Sequence, residues 1–445
     1  MKLRKRLIIK FFFVIFIFTK NGYTENNFVS SFSEIDKIVK IGEFSEIIIN
    51  KPLILNENKK YNESVTFNFV DNGMIVIPNE KKLFISGKIK SKKKIFQFEN
   101  KENYKNLFLN SETFDVRWFD DLNLSQKYSS YHGKKMYFDN YTIEGGIGFK
   151  FSNIKAHFNN TLITGTFHFS EMDDCSNEKI LKNISIEGTV NINGRFGGYC
   201  GENIFVNEVK IISSQKFRAG GVHIYSNIKN LKINNLYIED SIRHNALGID
   251  SDSLDSMPEN IYIDKVYIKN SFVHGAFING INISIGELFI NDFGNLRKSN
   301  FINSLHRGLN FPFYFKYLDL FENSPKGLII GYGSNIKIDD VVIKTNNYSL
   351  LDFLNYFRIK KFLIQPSLFF VDLTNEAKIG KIDIEMPTSI KFTNKVINFM
   401  KNKILIKLLN KPDQNKYRIN YNYTNIWPFE FYQRKWPNRR IWFTW

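Results

Sequence analysis

One phrase is written five times along this chain and leaves it few folds to choose from: Asn-φ-x-φ-x-x-φ-x-φ, where φ is aliphatic. It is spelled by Asn203, Ile204, Val206, Val209 and Ile211, then by Asn230, Leu231, Ile233, Leu236 and Ile238. It returns in Asn260, Ile261, Ile263, Val266 and Ile268, in Asn282, Ile283, Ile285, Leu288 and Ile290, and in Asn335, Ile336, Ile338, Val341 and Ile343. Frayed copies stand at Asn183, Ile184 and Ile186 and at Ile379, Ile382 and Ile384. The first four asparagines are 27, 30 and 22 residues apart. Apolar residues that alternate with polar ones, rich in Ile and Val and broken by Asn, Asp and Gly, mark half-buried strands, a pattern no helix can use.

Between the copies lies a further short strand: Gly221 to Tyr225, Ala246 to Asp250, Ala276 to Asn279 and Gly327 to Gly331. About three strands of roughly five residues, with their turns, fill a period of this length. Stacking such periods puts the aliphatics into inward columns and pairs each strand with the one a period away, which predicts a parallel β-solenoid. The chain resembles the pectin-lyase-like right-handed β-helix superfamily, which includes pectate lyases, polygalacturonases, alginate epimerases and phage tailspikes. The resemblance covers about residues 60 to 390 and includes Glu112 to Phe119, similar to the segment that leads from the first coils into the main helix. It implies an all-β, single-stranded right-handed parallel β-helix, and fold far more than chemistry. Asp120-Asp121-Leu122 departs from the Gly-rich turn usual in those relatives.

The expected organisation is a leader at 1–24, an N-terminal cap with the first coils at 25–115, the main helix at 116–390, and a basic, partly helical tail at 391–445. The leader is basic through Arg6 and apolar from Leu7 to Phe18 apart from Lys10, the form of a secretory signal and too short to span a bilayer, which takes about 20 apolar residues. Periodic Phe32, Ile35, Ile38 and Val39 predict a short capping helix over the open strand edges of the first coil. Two very apolar inserts, 309–321 and 350–373, interrupt the repeat. The net charge of +17 invites a nucleic-acid reading, but it sits at the ends: six basic residues and no acidic ones in 1–24, twelve against two in 391–445, and 43 against 42 between. A secreted chain with a neutral body argues against nucleic acid. The tail carries Trp427, Trp436, Trp442 and Trp445 among Arg434, Lys435, Arg439 and Arg440, which suits a glycan or membrane surface as well as a plain end cap.

Cys175 and Cys200, the only cysteines, are 25 residues apart, about one period, so an oxidising compartment allows a disulfide between adjacent coils. Neither has a second Cys or a His at metal-ligand spacing, and no metal site is expected. A Ca²⁺ requirement stays open, as does a trimeric state of the kind found among phage relatives.

If Val222, Ile224, Leu247, Ile249, Ala276 and Ile278 point inward, their neighbours form an exterior stripe: His223 and Tyr225, Gly248 and Asp250, Phe277 and Asn279. The adjoining turns add Arg218, Arg243, His244, His274, Asp252 and Asp255. Asp250 with Asp252 or Asp255 would supply the carboxylates of a glycoside hydrolase. A uronate lyase or epimerase would take its base from His223, His244 or Tyr225, with Arg218 or Arg243 holding the substrate carboxylate and His274 and Asn279 completing the binding surface. Asp250-Ser251-Asp252, His274-Gly275 and Arg358-Ile359-Lys360 are similar in part to polygalacturonase signatures, but there is no Asp-Asp pair between the first two and Val273 replaces a glycine. The polygalacturonase catalytic set is therefore not carried over. Polar turn residues are also ordinary solenoid vocabulary, so an extracytoplasmic polysaccharide-acting enzyme and a non-catalytic glycan-binding, adhesive or envelope protein both fit.

Overall fold

The computed structural model describes residues 28–41, 45–169, 175, 180–212, 221–241, 245–251, 254–271, 274–293, 326–344, 369–373 and 377–385. The expected leader, the insert at 309–321, most of that at 350–373 and the basic tail lie outside these residues. The chain divides into two compact units, Met1–Met136 and Tyr137–Trp445.

The described part of the first unit opens on β1 (Phe28–Val29) and helix α1 (Phe32–Ile41), inside the expected capping stretch. Phe32 and Ile35 are buried, while Ser30 and Ser31 exchange hydrogen bonds with Glu34 at the helix start, as a capping box does. Nine short strands follow: β2 (Ser45–Ile49), β3 (Pro52–Ile54), β4 (Lys59–Tyr61), β5 (Val65–Phe69), β6 (Met74–Ile77), β7 (Leu83–Ile85), β8 (Lys88–Lys90), β9 (Phe96–Phe98) and β10 (Leu107–Leu109). They fall into three sheets, β1-β2-β5-β8, β3-β6-β9 and β4-β7-β10, and each pair is parallel. From β2 onward each sheet takes every third strand, so the chain visits three sheets in turn and then repeats. Antiparallel hairpins cannot produce that order.

After β11 (Thr113–Asp115), Asp115 accepts from the Arg117 backbone at 2.9 Å, and Phe114, Trp118 and Phe119 are buried. Helix α2 (Leu122–His132) was not expected. Asp121 caps it by accepting from the Leu124 N–H at 2.7 Å, and Gly133, at φ 67°, ends it in the left-handed region. The departure at Asp120-Asp121-Leu122 is thus a helix start, and α2 belongs to the first of the two units.

Strand β12 (Lys135–Asp139) carries the chain into the second unit, whose further strands are β13 (Thr142–Phe149), β14 (Lys155–Phe169), β15 (Leu181–Ile192), β16 (Arg195–Gly198), β17 (Gly201–Ile212), β18 (Gly221–Ile224), β19 (Ile228–Glu239), β20 (Asn245–Ile249), β21 (Glu259–Lys269), β22 (His274–Asn291), β23 (Lys326–Ser334), β24 (Ile336–Lys344), β25 (Phe369–Leu373) and β26 (Ala377–Glu385). They join one large parallel sheet. Phe369–Leu373 belongs to this ladder, paired with β23, where the sequence suggests the end of an apolar insert. Among the described residues no helix is long and apolar enough to cross a membrane.

The repeated phrase sets the register. Ile186, Val206, Ile233, Ile263, Ile285, Ile338 and Ile379 pair in succession, as do Val190, Val209, Leu236, Val266, Leu288, Val341 and Ile382. The central members are fully buried or nearly so, each contributing about 1.5–3 kcal/mol of apolar burial. The asparagine that opens each phrase has a role of its own. Asn183, Asn203, Asn230, Asn260, Asn282 and Asn335 all hold φ between 54 and 59°. Asn tolerates this left-handed region, which other side chains enter at a cost of about 1–2 kcal/mol. Each side-chain amide donates to the amide oxygen one period earlier: Asn203 to Asn183 at 3.3 Å, Asn230 to Asn203 at 3.0 Å, Asn260 to Asn230 at 2.9 Å, Asn282 to Asn260 at 3.0 Å and Asn335 to Asn282 at 2.9 Å. One residue type turns the backbone and ties neighbouring periods together.

Candidate functional site

The short strands between the phrases, β16, β18, β20 and the starts of β22 and β23, form one facet of the second unit. Its inward columns are Phe196, Val222, Leu247, Ala276 and Leu328, and Gly198, Ile224, Ile249, Ile278 and Ile330. The column between them alternates glycine with larger side chains: Gly148, His168, Gly197, His223, Gly248 and Phe277 in successive register. Each step is about 4.8 Å. The glycines leave room for the side chains beside them. A Cβ on Gly248 would stand 3.2 Å from the His223 ring, and one on Gly197 would stand 3.5 Å from Arg195 Nε.

His223, half-buried, is the centre of this column. Arg195 reaches it from the preceding period, with Nη2 2.7 Å from Nδ1. A guanidinium only donates, so Nδ1 accepts and the ring carries its proton on Nε2. Arg195 also lies 3.4 Å from the Tyr199 hydroxyl, and its Nε is buried with no hydrogen-bond partner. Tyr225 sits edge-on to Tyr199 at 4.8 Å and to His223 at 4.7 Å. One period on, Asp250 Oδ1 accepts from Asn279 Nδ2 at 2.7 Å and from the Ser251 N–H at 2.8 Å. Ser226, Ser251 and Ser256 form a hydroxyl row with oxygens 3.0 and 2.7 Å apart.

The structure brings His223, Tyr225, Gly248, Asp250, Phe277 and Asn279 onto one facet, as the alternation predicts. Three of the expected binding residues are corrected in exposure. Tyr225 is 5% exposed because its backbone continues the ladder by donating to Gly198 O, which folds the ring against Tyr199 and His223. Asn279 is 7% exposed because its amide turns to the Asp250 carboxylate and its side chain fills the space beside Gly331. His274 is not in an open turn: it starts β22 in register with Asn245, is 2% exposed, and its carbonyl accepts from the Ser271 hydroxyl. Asp255 is exposed in a single 3-10 turn, Leu254–Ser256. Arg218, Arg243, His244 and Asp252 lie outside the described residues.

Arg195, Tyr199 and His168 were not anticipated, although a signal for the first two was present: one period back from Val222 and Tyr225 lie Phe196 and Tyr199 at the same spacing. Cys175 and Cys200 are joined in a disulfide with their Cα atoms 5.1 Å apart. Among the described residues no group of three or more His, Cys, Asp or Glu is placed to hold a metal ion.

Chemically, the facet gathers a guanidinium, an imidazole, two phenols, an engaged carboxylate and a row of hydroxyls beside glycines. Comparisons with protein-family models, with curated proteins and with solved structures returned no match.

Proposed function

We propose that the protein is an extracytoplasmic right-handed parallel β-helix of the pectin-lyase-like kind that engages a polysaccharide along the facet from Arg195 to Asn279. The single observation behind the functional part is the Arg195–His223 contact at 2.7 Å inside a polar column crossing three periods. For the fold, the every-third-strand order and the parallel register point to a coil, and parallel crossovers are right-handed in roughly 98% of cases. The basic-then-apolar leader and the disulfide support an oxidising compartment.

Binding without cleavage is the reading the geometry favours. The Nδ1 lone pair of His223 faces Arg195, so this imidazole is not placed to take a C5 proton through Nδ1, and Asp250 is held by Asn279 and Ser251. An enzymatic reading, as lyase, epimerase or hydrolase, draws support from the carboxylate of Asp250 on the facet and that of Asp255, exposed in the turn that follows β20. In a further variant of the non-catalytic reading the basic aromatic tail at 391–445 does the attaching, to glycan or membrane surface, with the periods as a spacer.

Titration of the purified protein with polygalacturonate, alginate, xylan and a β-glucan tests this. Binding of at least one glycan is expected, weakened roughly tenfold or more, about 1.4 kcal/mol, by Arg195→Ala or His223→Ala, with no release of reducing ends or unsaturated uronates. Product formation that Asp250→Asn abolishes would make it an enzyme. Binding that survives both substitutions but is lost on deleting residues 412–445 would move the site to the tail.

A further inference from the structure

We propose that Tyr199 is a positioning residue for the Arg195–His223 pair and that the Cys175–Cys200 disulfide holds it there, so that a dithiol reductant weakens the site. This rests on the polysaccharide reading of the facet. Tyr199 directly precedes Cys200, and both backbones are woven into the ladder. Tyr199 N donates to Phe169 O at 3.1 Å, Cys200 N to Ser226 O at 3.2 Å, and Leu181 N to Cys200 O at 3.0 Å. Cys200 is fully buried at φ 53°, a left-handed conformation that a side chain adopts only when its surroundings impose it. The disulfide is the covalent part of that imposition. From this anchored turn the Tyr199 side chain projects into the site, its hydroxyl facing Arg195 Nη2 and its ring lying against Tyr225, which in turn lies against His223. Arg195, Tyr199, Tyr225 and His223 therefore form a run of contacts in which Tyr199 is the member joined directly to Cys200.

The different burial of the two cysteines favours one route of reduction. Cys175 is half-buried and Cys200 is not exposed, so a thiolate of the dithiol attacks Cys175 Sγ. The Cys175–Cys200 bond breaks, and Cys200 leaves as a thiolate and takes a proton. The second thiol of the reagent then displaces Cys175 as a thiol and departs as a cyclic disulfide, so that the protein gains two electrons and two protons and the reagent loses the same. Without its tether Cys200 can leave the left-handed region, and Tyr199 moves with it.

Two readouts are compared on the full chain, oxidised, reduced with dithiothreitol, and as the Cys175→Ser, Cys200→Ser double variant. One is affinity for the four glycans named above. The other, independent of any ligand, is the ring-nitrogen NMR shifts of His223, which report whether Nδ1 accepts and Nε2 carries the proton. Both are read where far-ultraviolet circular dichroism shows the strands intact. We expect reduction to mix the two tautomers and to weaken binding roughly tenfold. Tyr199→Phe, which keeps the disulfide and the ring but lacks the hydroxyl, is expected to produce the same tautomer mixing. A reduced protein that melts lower but keeps the tautomer and the affinity would make the disulfide a staple only and overturn the proposal. If the oxidised protein binds none of the glycans, the polysaccharide reading fails while the NMR comparison still decides the positioning role. If the cysteine variant does not fold, Tyr199→Phe carries the test.

Discussion

Ile263→Asp is expected to destabilise the second unit by about 5 kcal/mol or more, a large part of the 5–15 kcal/mol that typically holds a domain. Ile263 is not exposed and stands between Ile233 and Ile285 in an inward column. The substitution forfeits about 1.5–3 kcal/mol of apolar burial and sets a carboxylate between the aliphatic Ile233 and Ile285, at several kcal/mol more. Tyr262→Asp, one residue away, is the control: Tyr262 is 56% exposed, and a change there is expected to stay within about 0.5 kcal/mol. Urea denaturation of the pair reads the difference. Similar losses in both variants would mean that the alternation does not divide inside from outside.

The asparagine row gives the second large effect. Asn230 sits at φ 54°, donates to Asn203 and accepts from Asn260. Asn230→Ala removes two hydrogen bonds of about 0.5–1.5 kcal/mol each and places a residue unsuited to the left-handed region there at about 1–2 kcal/mol, for a total of about 2–5 kcal/mol. Asn230→Gly loses the same bonds without that strain and is expected to retain about 1 kcal/mol of the difference. Thermal melts of the two variants separate the terms. Equal losses would place the whole effect in the hydrogen bonds, and no loss in either would deny the row a part in stability.

The second unit was largely legible because its signal is local and repeated. The period-2 alternation and the recurring Asn name the inward columns, and Asn203, Asn230, Asn260 and Asn282 do stand in one hydrogen-bonded row. The left-handed geometry of that row was not legible, because the sequence shows Asn as a turn residue without saying that its amide reaches the next period. Helix α2 was missed for a different reason. Its buried Leu124 and Tyr128 are a single i, i+4 apolar pair, too little periodicity to mark a helix. In the facet, alternation placed His223 outward correctly but said nothing about rotamers. Asn279 turns to Asp250, Tyr225 folds onto His223, and both lose the exposure that an outward position suggests. Arg195 escaped notice because it acts across periods, from two positions before Gly197 in one strand to His223 in the next.

Hydroxyl-radical footprinting with and without the best-bound glycan of the panel tests the central claim most directly, because it reports which side chains the glycan covers. Protection of Tyr199 and His223, with Tyr262 and the tail tryptophans Trp427, Trp436, Trp442 and Trp445 unchanged, is the predicted result. Protection of the tryptophans or of Tyr262, with Tyr199 and His223 oxidised as fast as before, would contradict it.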